Sequence, residues 1–358
     1  MSTAPRMLFP VTVDPEAIRD HPTDQDRLVH REIVATLQAC GVLRMSEADR
    51  VDLFDAISGL GDLSKNLWRQ LLYALNDLNR LDQDPRMSPV RELLTQLRAT
   101  SGSSHAVRLV VVGRETAAMH GIDDSTGFQT VDATDIALAA SVDRAPSVID
   151  AQSSNFAPGT SRESIAEYVL HPLAARSRSV TVIDPHLFDH LLGTARLRSV
   201  NVGGRWTQRV GDHVEWLVSE LGAVLPAGAT INLVGDYPTE RRRDGSMLTK
   251  DLARSDITTA LEKSLAGRNS PLEVMYTLVQ GPKQGVRISN RYLVFDCGFG
   301  FLVDHDFYRL GFETVDGPED FLLSRLGLDH PQRIRDLVSG YANYDPATAR
   351  LEGKVLVG

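Results

Sequence analysis

The sequence has little from which a disulfide framework or a zinc centre could be built. Its two cysteines, Cys40 and Cys297, lie far apart with no metal-ligand neighbours at motif spacing, so a reducing, cytoplasmic setting is expected. Long apolar runs are missing as well. None approaches the ~20 residues that span a bilayer, and the opening MSTAPRMLFPVTVD has no apolar core of a secretory signal. Lysine is scarce: only five of the 38 basic residues are lysines, a bias that suits a GC-rich prokaryotic gene. Neither GxxxxGK[ST] nor GxGxxG occurs, so no glycine loop of those kinds cradles a phosphate. Nothing matches a nucleophile elbow or a zincin helix. The net charge of −9 removes bulk attraction to polyanions. Contact with nucleic acid or anionic lipid would need a local basic patch.

What is present reads as an ordinary globular chain. With 358 residues, 42% of them hydrophobic and 24% charged, it is long enough for two domains with separate cores. Leu8–Val13 reads as a buried strand ending at Asp14-Pro15, and Val107–Gly113 as a second. Between them, apolar spacing predicts helices over Leu28–Leu37, Val51–Leu60, Leu67–Leu81 and Met87–Leu97. Ser46 with Asp49 forms an N-cap pair ahead of the second of these. Thr116–His120 reads as a short helix and Phe128–Val131 as a strand. Strands alternating with helices predict an α/β domain over residues 1–142. Residues 143–160, polar and containing two prolines, read as a linker.

Residues 161–358 read as a second α/β domain. Thr160 and Glu163 form a capping box for a helix. The strands Ser179–Ile183, Thr230–Val234 and Leu272–Leu278 follow, separated by helices. One helix runs through Val214–Leu221, and another is capped by Ser255 and stopped at Gly267. A hairpin made of the run Val286–Asp296 and the strand Phe299–Val303 comes next. Phe321–Leu328 and Ile334–Tyr341 are expected as closing helices.

The hairpin carries Ser289-x-Arg291-x4-Asp296. This spacing resembles the His-x-Lys-x4-Asp signature of the phospholipase D superfamily. The run Pro172–Phe188, with its strand and Asp184-Pro185-His186-Leu187 turn, resembles the family's opening helix and first strand. The resemblance covers residues about 160–310 and implies a phospholipase D-like fold in which a histidine attacks phosphorus and a lysine holds phosphate oxygens. Here Arg291 keeps the cation and Asp296 the carboxylate, but Ser289 replaces the histidine, and the downstream Gly-Ser-x-Asn segment is absent. A single copy of the motif implies that an active site would need a homodimer. Family members lacking their histidines serve as dimerising or anion-binding modules. The two-domain organisation is similar to that of accessory proteins of prokaryotic anti-phage defence loci, which implies nucleic acid or defence-complex proteins as partners. A buried hairpin with Arg291 and Asp296 as a plain ion pair would account for the same residues.

Other candidates are scattered. Arg241, Arg242 and Arg243, with Lys250 and Arg254, form the densest basic run, which would suit phosphates; Glu240 and Asp244 dilute it. His186, His190 and His305 could act as acids if a neighbouring carboxylate raised their pKa. Asp184 ends a strand, where ligands of α/β sheets gather. In the first domain, Asp14 resembles the leading aspartate of PIN-like nucleases. With Glu47, Asp132 and Asp135 it could surround Mg²⁺ or Mn²⁺, although helix caps and solvated loops explain such carboxylates equally well. The leading expectation is a nucleic-acid- or phosphate-binding accessory protein with no certain cofactor. The alternatives are a metal-dependent nuclease, or a dimeric phosphodiesterase with an altered nucleophile.

Overall fold

A computed structural model describes residues 8–99, 109–120, 129–138, 153–194, 198–202, 205–209, 211–237, 242, 244–280, 290–326 and 351–357. The chain divides into two compact units, Met1–Gln152 and Ser153–Gly358. Both are α/β.

The first unit is built on five parallel strands. They are β1 (Phe9–Val13), β2 (Gly41–Met45), β3 (Leu81–Gln83), β4 (Leu109–Val112) and β5 (Gln129–Asp132), in the order β3-β2-β1-β4-β5. Parallel strands covered on both faces need apolar side chains at nearly every position. Leu109–Val112 is buried throughout, and β1 has one half-buried residue, Pro10. The helices are α1 (Pro15–Arg19), α2 (Arg27–Cys40), α3 (Glu47–Ser58), α4 (Asp62–Asp77), α5 (Val90–Ala99) and α6 (Arg114–His120). On α2 the buried residues His30, Ile33, Val34 and Leu37 recur at one-face spacing. Across from them Trp68 of α4 donates from Nε1 to His30 Nδ1 at 3.1 Å. The end of α2 is closed by Arg80, which is fully buried and donates to the carbonyls of Leu37, Gln38 and Gly41. A cation at a helix C-terminus is where the unpaired carbonyls and the helix dipole favour it.

The second unit contains an eight-stranded mixed sheet in the order β15-β11-β10-β7-β12-β13-β14-β6. Its strands are β6 (Ser153–Phe156), β7 (Ser179–Ile183), β10 (Ala229–Tyr237), β11 (Leu272–Gln280), β12 (Arg291–Phe295), β13 (Phe299–Val303), β14 (Phe321–Arg325) and β15 (Leu351–Val357). A two-stranded ribbon, β8 (Arg198–Val202) and β9 (Arg205–Arg209), stands apart from it. β11, β10 and β7 are parallel, while β12 runs antiparallel to β7 and so turns the sheet mixed at that seam. The helices are α7 (Arg162–Ile165), continued by a π-helical turn (Ala166–Leu170) into α8 (His171–Ala174), then α9 (His213–Val224) and α10 (Lys250–Ser264). The largest buried side chains include Phe188, Phe295, Phe299, Phe301, Phe307 and Phe321. Each contributes roughly 1.5–3 kcal/mol on burial. Gly235 sits where β10 passes the end of β7. A Cβ there would lie 2.8 Å from the Phe188 ring, so only glycine admits the contact.

Several sequence expectations change. Of the helix expected over Phe321–Leu328, Phe321–Arg325 is instead a strand, with Phe321 and Leu323 buried and their neighbours less so, and residues 327 and 328 lie outside the described residues. Its apolar residues satisfy either period, and pairing with β13 and β6 decides between them. Ser153–Phe156, within the expected linker, is the strand that completes that edge. Ser161 rather than Thr160 caps α7, accepting from Ser164 N, while the backbone carbonyl of Thr160 accepts from Val315 N. Thr249 rather than Ser255 caps α10, and Ser255 falls inside the helix. Ile334–Tyr341 lies outside the described residues.

Candidate functional site

Both sheets end a central strand in the dipeptide Asp-Pro, and the candidate site grows from the second of these. Asp184 follows β7. Its Oδ1 accepts from His186 N at 2.8 Å, and its backbone carbonyl accepts from Leu187 N, a turn that proline favours by fixing φ. Oδ2 accepts from Phe307 N at 3.0 Å, which comes from the segment after β13. Asp184 is completely buried, and burial pushes its carboxyl up to about 6 despite these bonds.

The cation beside it is Arg291, the first residue of β12. Since β12 runs antiparallel to β7, its start lies at the end of β7, and Arg291 Nε stands 3.5 Å from Asp184 Oδ1. The same guanidinium pairs through Nη2 with Asp306. Arg291 is 22% exposed and Asp306 33%. The two carboxylates are held differently. Asp184 is fixed by two backbone N–H groups. Asp306 precedes a 3₁₀ turn, Phe307–Leu310, its side chain makes no cap hydrogen bond there, and its Oδ1 faces the Arg291 guanidinium. Arg309, buried two residues beyond Phe307, donates to the carbonyls of Asp316, Glu319 and Asp320 and so ties down the segment that carries Asp306. At the rim is His186, 58% exposed. The hydrogen bond to Asp189 raises its pKa most, and the charges of Asp189, Asp184 and Asp306 add to that.

The signature residues are thus not gathered together. Arg291 joins Asp184. Asp296, one residue past the other end of β12, accepts from Arg178 N at 2.9 Å, while its own N–H donates to Ser179 O. Its role there is to tie β12 to the start of β7, and the carboxylate beside Arg291 is supplied by Asp184 and Asp306 instead. Ser289 lies outside the described residues. Asp306 was visible in the sequence only as a flank of His305. Nothing in local spacing signals its pairing with Arg291, because that contact needs β13 to run back along β12.

Other expected residues are dispersed. Arg242 pairs with Asp256 at a cleft of about 680 Å³ between α9 and α10, which Glu215 and Lys263 also line. Arg241 and Arg243 lie outside the described residues, Lys250 is exposed, and Arg254 stands 3.7 Å from Asp251. The His190 side chain is nearly buried, bonded to Glu215 at 2.5 Å and tilted at 47° against the His213 ring, while His305 meets Glu319 at 3.3 Å.

In the first unit Asp14 ends β1 at the point where the strand order reverses between β1 and β4, the place where such sheets collect ligands. Its Oδ1 accepts from Glu16 N at 3.0 Å. Its Oδ2 is buried without a hydrogen bond, and burial raises its pKa. Asp132 and Asp135 do not join it. β4 stands between β1 and β5, which sets Asp132 about 10 Å away across two strand spacings. Thr134 bonds Asp132 Oδ1 through both its N–H and its hydroxyl, Asp135 is exposed, and Glu47 pairs with Arg50. Among the described residues no three His, Cys, Asp or Glu side chains could hold a metal ion. The four expected carboxylates, Asp14, Glu47, Asp132 and Asp135, are therefore not gathered to hold Mg²⁺ or Mn²⁺.

Compared with known proteins, the chain matches no family model and no curated sequence.

Proposed function

We propose that the chain is a phosphate-recognising accessory protein whose second unit, a phospholipase D-like domain, binds an anionic ligand rather than cleaving it. The observation that carries this reading is the position of Arg291. It stands at the carboxyl end of β7 between Asp184, fixed by two backbone N–H groups, and Asp306, and the turn after Asp184 carries His186, whose pKa is raised. A guanidinium is suited to phosphate because its planar fork can donate two parallel hydrogen bonds. Catalysis by the family's route needs a nucleophilic histidine, and position 289 supplies serine. Nucleic acid is the ligand class proposed, and the local cations Arg291 and His186 would meet it despite the overall charge of −9.

The test is binding of single-stranded DNA in EDTA, compared between the wild type and Arg291→Lys. Binding that persists in EDTA and weakens in the variant supports the reading; equal affinity removes Arg291 from it. A metal-dependent nuclease in the first unit is supported only by Asp14 Oδ2 and would need ligands other than Asp132 and Asp135. Mn²⁺-dependent cleavage abolished by Asp14→Asn would establish it. A phosphodiesterase using Ser289 would leave a phosphorylated protein that Ser289→Ala does not form.

A further inference from the structure

Resting on that anion-binding reading, we propose that Asp306 is a tethered counter-ion which a ligand's phosphate must replace on Arg291, so that the site selects phosphomonoesters over phosphodiesters. The argument starts from the unequal fastening of the two carboxylates. Asp184 cannot leave: it is fully buried, and both oxygens accept backbone N–H bonds, from His186 and Phe307. Asp306 can. One third of its side chain is exposed, it makes no cap hydrogen bond to the turn, and Oδ1 is held by the Arg291 guanidinium, its one ion-pair partner among the described residues. The backbone carbonyl of Asp306 accepts from Arg309 N and the side chain makes no cap hydrogen bond, so the carboxylate can swing out without unfolding the turn.

Exchange then depends on what replaces the carboxylate. A phosphodiester brings one negative charge, the same as Asp306, and gains nothing electrostatically from the swap. A phosphomonoester brings about −1.5 to −2 and three strong acceptor oxygens. It can take both arms of the guanidinium and still offer an oxygen to His186, whose ring lies within the electrostatic reach of Asp184 and Asp306. The chemical class is therefore a terminal phosphate, borne either by the 5′ end of a nucleic-acid strand or by a free nucleotide.

The experiment is fluorescence anisotropy in EDTA with a short oligothymidylate labelled at its 3′ end, carrying either a 5′-phosphate or a 5′-hydroxyl, and thymidine 5′-phosphate as competitor. Wild type is expected to bind the phosphorylated strand about tenfold more tightly, the factor that roughly one charge-assisted hydrogen bond supplies. Asp306→Asn is expected to tighten both strands and to narrow that preference. Arg291→Lys, which keeps the charge but loses the fork, is expected to reduce it too. Competition by thymidine 5′-phosphate at the strand's own affinity assigns the site to a free nucleotide, and competition only by the strand assigns it to a strand end. Both keep the terminal phosphate. Equal affinity for the two strands, or no tightening in Asp306→Asn, overturns the exchange. If the strands bind equally but more weakly to Arg291→Lys, the anion site stands without its gate. If neither variant changes binding at all, the anion site itself is wrong. Melting curves identify any variant that fails to fold, and Asp306→Asn, at a partly exposed position, remains decisive if Arg291→Lys is the one lost.

Discussion

Asp14 and Asp184 are built alike and end up in different electrostatic situations. Each follows a buried central strand, each precedes proline, and each has an oxygen accepting from the N–H two residues on, at 3.0 Å for Asp14 and 2.8 Å for Asp184. Each backbone carbonyl accepts from the residue three on. Both carboxylates are buried, and burial raises the pKa of both. The difference lies in the second oxygen. For Asp184 a distant hairpin delivers Phe307 N and Arg291. For Asp14 no hydrogen bond arrives at that oxygen, and the opposing charge acting on it is Arg91, an exposed residue paired to Glu16 at 3.4 Å. The same strand-end turn therefore yields an ion-paired acid in one unit and an under-satisfied acid in the other.

The largest effect expected from this contrast is on stability. Arg291→Ala strips the cation from a buried carboxylate and should destabilise the second unit by about 3 kcal/mol. Arg91→Ala, removing an exposed partner, should change the first unit by no more than about 0.5 kcal/mol. Urea titrations of both variants measure the difference, and similar losses would erase the contrast.

The next effect is a pH dependence. The folded pKa of Asp184 lies above its ordinary value of 3.8, at about 6. Proton uptake therefore favours the folded state. The contribution is fully present below about pH 4 and is lost as pH rises through about 6, a change on the order of 3 kcal/mol. Measured against Asp184→Asn, which does not titrate, the wild type should lose ground over that window; parallel curves for the two proteins would count against the buried-acid description. Asp14 has the same sign of shift, so Asp14→Asn should flatten the pH dependence of the first unit in the same direction.

Smaller effects separate scaffold from site. Asp296→Ala removes the acceptor for Arg178 N and should cost about 1 kcal/mol while leaving anion binding unchanged. A large loss of binding would return Asp296 to the site. Ser46→Ala should likewise cost about 1 kcal/mol in the first unit, since Ser46 caps α3 and bonds Asp49. No change in its denaturation midpoint would show the cap to be dispensable.

Much of the fold was legible because its signals are local. The alternation of Ser179–Ile183, the apolar β4, the Ser46 cap and the two Asp-Pro turns each lie within a few residues. Helix ends were read less well where two caps compete, as at Thr160 and Ser161. The candidate site was half legible. Arg291 stood out by spacing and Asp184 by its place at a strand end, but they are more than a hundred residues apart, and nothing in either segment states that they meet.

Sequence alone determined two α/β units, the strand-end acids and a serine at position 289. Tertiary structure decided what those acids face. Phe321–Arg325 became a strand only because β13 and β6 offered it edges. Asp296 went to the Arg178 amide, and Asp306 came to Arg291, because an antiparallel β12 points its two ends in opposite directions. Periodicity is a property of neighbours along the chain. Charge pairing is a property of neighbours across the sheet, and strand order sets those.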